Sequence, residues 1–133
     1  MTFVAVLGID LCIHVLRRRD RALLARFEAA ATGLCISAIT LMELPKGGER
    51  SPQRDHSLVE VEAFAARLSV LPFDAAAASA AAIAAAMAAG QTIGPFDTLI
   101  AGHARSLGLV VVTGNGRGFG RVAGLASEDW AGA

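Results

Sequence analysis

Three carboxylates hold matching places along this chain. Asp10 follows an apolar run, Glu43 lies just beyond a second one, and Asp97 opens a late helical pattern. Mg²⁺ and Mn²⁺ are hard cations that prefer oxygen ligands. A pair of such ions activates water and stabilises a leaving oxygen in phosphodiester hydrolysis. Acids so far apart in sequence serve that chemistry only if the fold brings them to one edge. Each also has a plain structural explanation. An Asp in a first turn caps its helix and complements the dipole, and Glu43, beside Leu41, Met42 and Leu44, can simply face water. Spacing alone leaves both explanations open.

The best-defined positioning element is Thr92 to Asn115, TIGPFDTLIAGHARSLGLVVVTGN. Pro95 suits the first turn of a helix, and Gly94 before it permits a sharp entry. Leu99, Ile100, His103, Ala104 and Leu107 follow helical spacing, and Gly108 is placed as a C-terminal stop. A strand at Leu109 to Val112 follows, leaving through Thr113, Gly114, Asn115 and Gly116. In open α/β sheets, ligands gather at the carboxyl ends of strands.

The remaining elements alternate. Phe3 to Gly8 reads as a buried strand and Asp10 to Arg18 as a short helix. Asp20 N-caps a second helix with Leu23, Leu24, Phe27 and Ala31 on one face, ended by Gly33. A strand at Leu34 to Ile36 precedes a helix at Ser37 to Leu44, which Pro45, Gly47 and Gly48 should terminate, and Glu49 to Asp55 reads as a polar loop. Leu58, Val61, Phe64, Ala65 and Leu68 mark a further helix, and Val70 to Leu71 a short strand. The alanine-rich helix that follows has Ile83 and Met87 as its expected anchors and ends at Gly90. This alternation predicts a single α/β domain over residues 1–133, a mostly parallel central sheet flanked by helices.

Composition narrows the classes. At 133 residues the chain has room for one real core. Hydrophobic residues make up 54%, but alanine supplies much of that, and the Ala75 to Ala89 run is shorter than the ~20 residues of a membrane span. Arg17 to Arg19 follow the first apolar segment, the reverse of a secretory signal, so the expected location is cytoplasmic. Cys12 and Cys35 lie among Leu and Ile without a CxxC, which predicts two buried thiols. Zero formal charge lacks the basic signature of a nucleic-acid binder. It does not exclude an enzyme acting on nucleic acid, because carboxylates and metal in the site offset basic charge around it.

These motifs resemble those of PIN-domain ribonucleases, in particular the VapC-type toxins of toxin–antitoxin pairs. ISAITLMEL, Ile36 to Leu44, resembles the family segment carrying its second acid, which falls on Glu43. IGPFDTLIAGHARSLGLVVVTGN resembles the segment carrying the third, which falls on Asp97. VLPFD at Val70 to Asp74 and GFGRVAGL near the C-terminus also fit, so the resemblance covers nearly the whole chain. It implies a PIN-like fold and acids that hold Mg²⁺ or Mn²⁺ and cleave RNA. It also implies a small VapB-like antitoxin and a homodimer of toxin subunits.

The chain departs from the family at its start, where relatives end the first strand in Asp-Thr-Asn. An ungapped alignment on Cys12 and Ile13 places Gly8 on that Asp and Asp10 on the Asn. Anchoring on Gly8, Ile9 and Asp10 instead puts Asp10 on the catalytic position. Asp10 is the acid available near that strand end and is the ligand candidate. The family's fourth position, often Asp or Asn after Val-Thr, falls on Asn115. Gly114, Gly118 and Gly120 stand where relatives often carry polar side chains.

The catalytic set implied is therefore Asp10, Glu43, Asp97 and Asn115, with Asp10, Glu43 and Asp97 as metal ligands. Its rival is a weakened or inactive PIN-like domain that binds antitoxin or RNA without cutting. Other residues have simpler expectations. His103 is a hydrogen-bonded core histidine and His14 a helix-face residue. Arg17, Arg18, Arg19 and Arg21 either track an RNA backbone or complement a helix C-terminus. Lys46 and Arg117 are placed to contact phosphate, and Thr113 either adds a hydroxyl or ends its strand.

Overall fold

The computed structural model describes residues 3–49, 52–87, 93–114, 119–120, 122 and 124–130, with backbone alone at 46–49 and 86–87. Among the described residues, five strands and six helices follow one another: β1 Ala5–Leu7, α1 Ile9–Arg17, α2 Arg21–Ala30, β2 Leu34–Ser37, α3 Ala38–Glu49, α4 Arg54–Ala66, β3 Ser69–Leu71, α5 Ala75–Met87, α6 Pro95–Leu107, β4 Val110–Thr113 and β5 Ser127–Asp129. The strands form one sheet in the order β3-β2-β1-β4-β5, with every neighbouring pair parallel. Parallel neighbours need crossovers, and α1 to α6 supply those that link the first four strands, covering both faces.

Alternation along the central strands divides the core. Ala5 and Leu7 of β1, Leu34 and Ile36 of β2, and Val112 of β4 face a cluster with Leu11, Val15, Phe27, Leu44 and Phe64. Val6, Cys35 and Val111 face the other way, onto Ala84, Ile100, Ala101 and Ala104. Successive strand side chains point to opposite faces, so three-residue strands serve two cores.

Four expectations need correction. Helix α3 does not stop at Pro45 but continues through it to Glu49. Proline removes one helical hydrogen bond, yet Leu44 is buried in the large core and α3 packs along α4, which offsets that loss. Ile83 is not an anchor of α5, being 52% exposed, whereas Ala77, Ala81 and Ala84 are buried. The reason lies in α6. A Cβ on Gly102 would overlap the Ala81 backbone and stand 2.8 Å from the Ala80 carbonyl carbon, so only the smallest residues fit. Leu107 points outward, 49% exposed, though its spacing placed it on the apolar face. Strand β5 was not anticipated at all. The side chain of Met87 and the expected stop at Gly90 lie outside the described residues.

Candidate active site

Three local features bring acidic side chains toward the carboxyl edge of the sheet. Gly8 is the N-cap of α1 in extended geometry, φ −75° and ψ 160°, which places Asp10 in the first turn. Ser37, the last residue of β2, caps α3: its Oγ accepts the Ile39 N–H at 3.1 Å, so the helix carrying Glu43 starts directly from the strand end. Gly94 and Pro95 open α6, and the Thr98 hydroxyl donates to the Gly94 carbonyl at 3.0 Å. Gly108, at φ 67°, ends the helix by donating its N–H to the Ala104 and Arg105 carbonyls. Strand β4 begins almost at once, so the end of α6 sits at the amino edge. A 13-residue helix rises roughly 18 Å from its first residue to its last, which returns Asp97 to the opposite edge.

Electrostatics shows which of these groups influence one another. The half-buried Asp97 carboxyl is held above its ordinary 3.8, first by burial and second by the charge of Asp10. Cys12 is wholly buried, and its thiol is pushed far up, chiefly by burial, with Glu43 and Asp10 adding to the shift. Asp10 thus acts on Asp97, and Asp10 and Glu43 both act on Cys12. Glu43 Oε1 is withdrawn from solvent. Hard oxygen donors suit Mg²⁺ or Mn²⁺, and a cation would relieve the repulsion that raises Asp97. Among the described residues, however, no three His, Cys, Asp or Glu side chains stand close enough together to hold a metal ion.

Gly8 offers no oxygen, yet its position has room for a side chain. A Cβ there would lie 3.6 Å from the Val112 carbonyl oxygen, 3.7 Å from Phe119 and 3.7 Å from Thr113 Oγ1, all ordinary contacts. Thr113 is buried at the end of β4. His14 is more than a surface residue of α1, because its ring occupies the space over Gly114: a Cβ there would come within 2.8 Å of His14 Cδ2. Asn115, Arg117 and Gly118 lie outside the described residues, as does the side chain of Lys46. A cavity of about 610 Å³ reaches Glu43 and is lined also by Ile13, Arg17, Arg19 and His56. Arg18 turns into the left-handed region at φ 54° and closes α1 with its N–H on the Val15 carbonyl.

The residue that sequence reasoning missed is Ser37. His103 is a buried, hydrogen-bonded histidine, as expected, and its partner is the Ser37 hydroxyl, 2.8 Å from Nδ1. Phe73 meets the ring edge-on at 5.3 Å and 85°. Burial lowers the His103 pKa below its ordinary 6.5, while the Asp74 charge and a hydrogen bond to the Pro72 backbone act in the opposite sense. Serine, histidine and aspartate together resemble a hydrolytic triad in composition. Ser37 is 0% exposed, so no substrate reaches it and the set is structural. The available signal was a serine directly before a helical pattern, the mark of an N-cap. Cys12 and Cys35 are free and buried, as their surroundings predicted.

An all-parallel sheet, with Asp10 and Asp97 close enough to influence one another, is a frame open to phosphodiester chemistry. The chain belongs to the PIN-domain family, whose model matches residues 11–125. It is 44% identical over 127 residues to the tRNA(fMet)-specific endonuclease VapC of Shigella flexneri, an alignment covering 94% of this chain and 96% of that protein. It is 43% identical, with the same coverage, to the protein of that name from Salmonella typhimurium. Among solved structures, the DNA-bound VapBC of Salmonella typhimurium superposes with a TM-score of 0.92 at 41% identity, covering 97% of this chain and 99% of the other.

Proposed function

We propose that this chain is the nuclease toxin of a VapBC-type pair, a metal-dependent endoribonuclease restrained by a small VapB-like antitoxin. The observation that carries this reading is the charged environment of Asp97. A carboxylate in a first turn is normally favoured by the helix dipole, yet this one is held above its ordinary pKa, first by burial and second by the neighbouring charge of Asp10, in a chain 44% identical to a named VapC endonuclease. Such an arrangement costs stability without a cation and suits binding one. The name of that relative makes tRNA(fMet) the first substrate to test. Cytoplasmic location and a homodimer complete the proposal, both following from the family resemblance and the character of the sequence.

In the proposed mechanism Asp10 and Asp97 would hold Mg²⁺ or Mn²⁺, and Glu43 would bind a metal or orient water. When bound, the metal lowers the pKa of water and stabilises charge on the leaving oxygen. Asn115 assists by orienting water or substrate. Arg17 and Arg19 line the cavity that reaches Glu43, where their cations can meet the phosphates on either side of the scissile bond. Gly8 leaves one ligand position without an oxygen, and Asp10 takes over part of that role.

The test is cleavage of tRNA(fMet) in Mg²⁺ or Mn²⁺ by the parent, Asp97→Ala and Gly8→Asp. The parent should cut, Asp97→Ala should lose cleavage by at least about 100-fold while remaining folded, and Gly8→Asp should cut faster. Cleavage by Asp97→Ala at the parent rate would overturn the site. A parent silent in every divalent metal, with Gly8→Asp silent too, would favour a domain that binds without cutting.

A further inference from the structure

We infer that His103 is a positioning residue for the acidic site, acting through Ser37 to fix helix α3 against helix α6. This rests on the nuclease reading only for its metal measurement. Glu43 and Asp97 lie on different helices, and their relative placement depends on whatever locks those helices together. The Ser37–His103 hydrogen bond spans 66 positions of sequence and joins the start of α3 to the middle of α6. Both groups are buried, where a hydrogen bond is strengthened by its low-dielectric surroundings and costly to leave unmade.

The proton assignments are consistent with one direction of bonding. Ser37 Oγ already accepts the Ile39 N–H, and in the tautomer with Nδ1 unprotonated its own proton points to His103 Nδ1. In that tautomer the ring proton sits on Nε2, and the ring also bonds the Pro72 backbone. One imidazole so joins the β2–α3 junction, α6 and the segment after β3, while Phe73 packs edge-on against it. A apolar residue would fill much of the same space but hold neither partner. Asparagine would put an oxygen acceptor close to the Nδ1 position.

Spin labels on Met42→Cys of α3 and Leu107→Cys of α6, both exposed positions, measure the spacing directly, since Cys12 and Cys35 are buried. The parent should give one narrow distance distribution, and His103→Leu should broaden it about twofold. Ser37→Ala should do the same, with the double variant no broader than either, and His103→Asn should narrow it again. Leu23→Ala, which weakens the opposite core, serves as the destabilised control and should stay narrow. A His103→Leu distribution as narrow as the parent's, or an equal broadening in Leu23→Ala, overturns the inference. Should His103→Leu not fold, Ser37→Ala against the parent decides by the same criterion. In unlabelled protein, Mn²⁺ affinity by calorimetry should fall about tenfold in His103→Leu and recover in His103→Asn. A parent that takes up no Mn²⁺ defeats the nuclease reading, while the distance widths still decide for or against the clamp.

Discussion

The two faces of the sheet are covered in opposite ways. One is filled by large side chains, Leu11, Phe27, Leu44 and Phe64 among them. The other depends on Ala84, Ala101, Ala104 and the backbone-to-backbone approach at Gly102. A core of large side chains stabilises by area removed from water and tolerates small shifts through rotamer changes. Ile100 and Phe119 also lie on that second face, but where α5 meets α6 small residues fix the distance between the helices, because at Gly102 and Ala81 no side chain remains to yield. Asp10 stands on the helix that seats the first face, and Asp97 on the helix held by the second. The tightly spaced face thus carries the acid with the perturbed charge.

Removing a large side chain should give the greatest loss of stability. Phe27 is almost fully buried, stacks on Phe64 at 5.7 Å and lies beneath the Arg67 guanidinium. Phe27→Ala should cost about 3–5 kcal/mol in urea unfolding. A loss below about 1 kcal/mol would mean that this face is not the anchor its burial suggests. On the other face the telling change is an addition. At an exposed helical site Gly→Ala gains up to about 1 kcal/mol. Gly102→Ala should instead lose about 2–3 kcal/mol, because the new methyl meets the Ala81 backbone. A stabilising Gly102→Ala would erase the contrast between the faces.

The same contrast explains what the sequence disclosed. Leu23 and Phe27 in α2, and Val61 and Phe64 in α4, recur at helical spacing, so the large-residue face was readable, as were the first four strands and the Pro95–Gly108 frame of α6. The Ala-rich face carried no such signal. Where nearly every residue is alanine, periodicity cannot tell inside from outside, and Ile83 was misjudged because its size drew the reading that packing at Gly102 forbids. Pro45 misled because a local rule lost to tertiary packing. Strand β5, with sequence Ser-Glu-Asp, has neither the alternation nor the β-branched residues of a strand. Its backbone finds partners on β4, and Glu128 is fastened by Arg26, which also covers Trp130. In the site, family motifs pointed to Glu43 and Asp97, but the Ser37–His103 bond joins residues too distant for any local pattern to reveal.

A smaller effect should appear on acidification, and it belongs to the junction between α3 and α6. His103 has a folded pKa below its ordinary 6.5, so the unfolded chain binds its proton more readily. The stability it contributes is complete above pH 6.5 and is lost as pH falls from there toward the folded value. Urea midpoints measured from pH 7.5 to 5 should decline, and His103→Asn, which cannot titrate, should flatten that decline. An unchanged slope in His103→Asn would place the titrating group elsewhere.

The smallest effect tests the charge on the tightly spaced face. Asp97 has the opposite sign: its folded pKa lies above 3.8, so its favourable contribution is present below that value and is lost as pH rises through the folded pKa. At neutral pH its ionised form weakens the fold, chiefly by burial and secondarily through Asp10. Asp97→Asn keeps the size and removes the charge, so in EDTA at pH 7 it should be slightly more stable than the parent. Solvent reaches about half of this carboxyl, so screening limits the gain to below about 0.5 kcal/mol. The difference should vanish near pH 3, where the parent carboxyl is also neutral. Adding Mn²⁺ should reverse the order, because only the parent retains the charged ligand and gains stability from binding. Parent and variant shifting equally with Mn²⁺ would show that the cation binds elsewhere, and the strained carboxylate would then lose its explanation as a site held ready for metal.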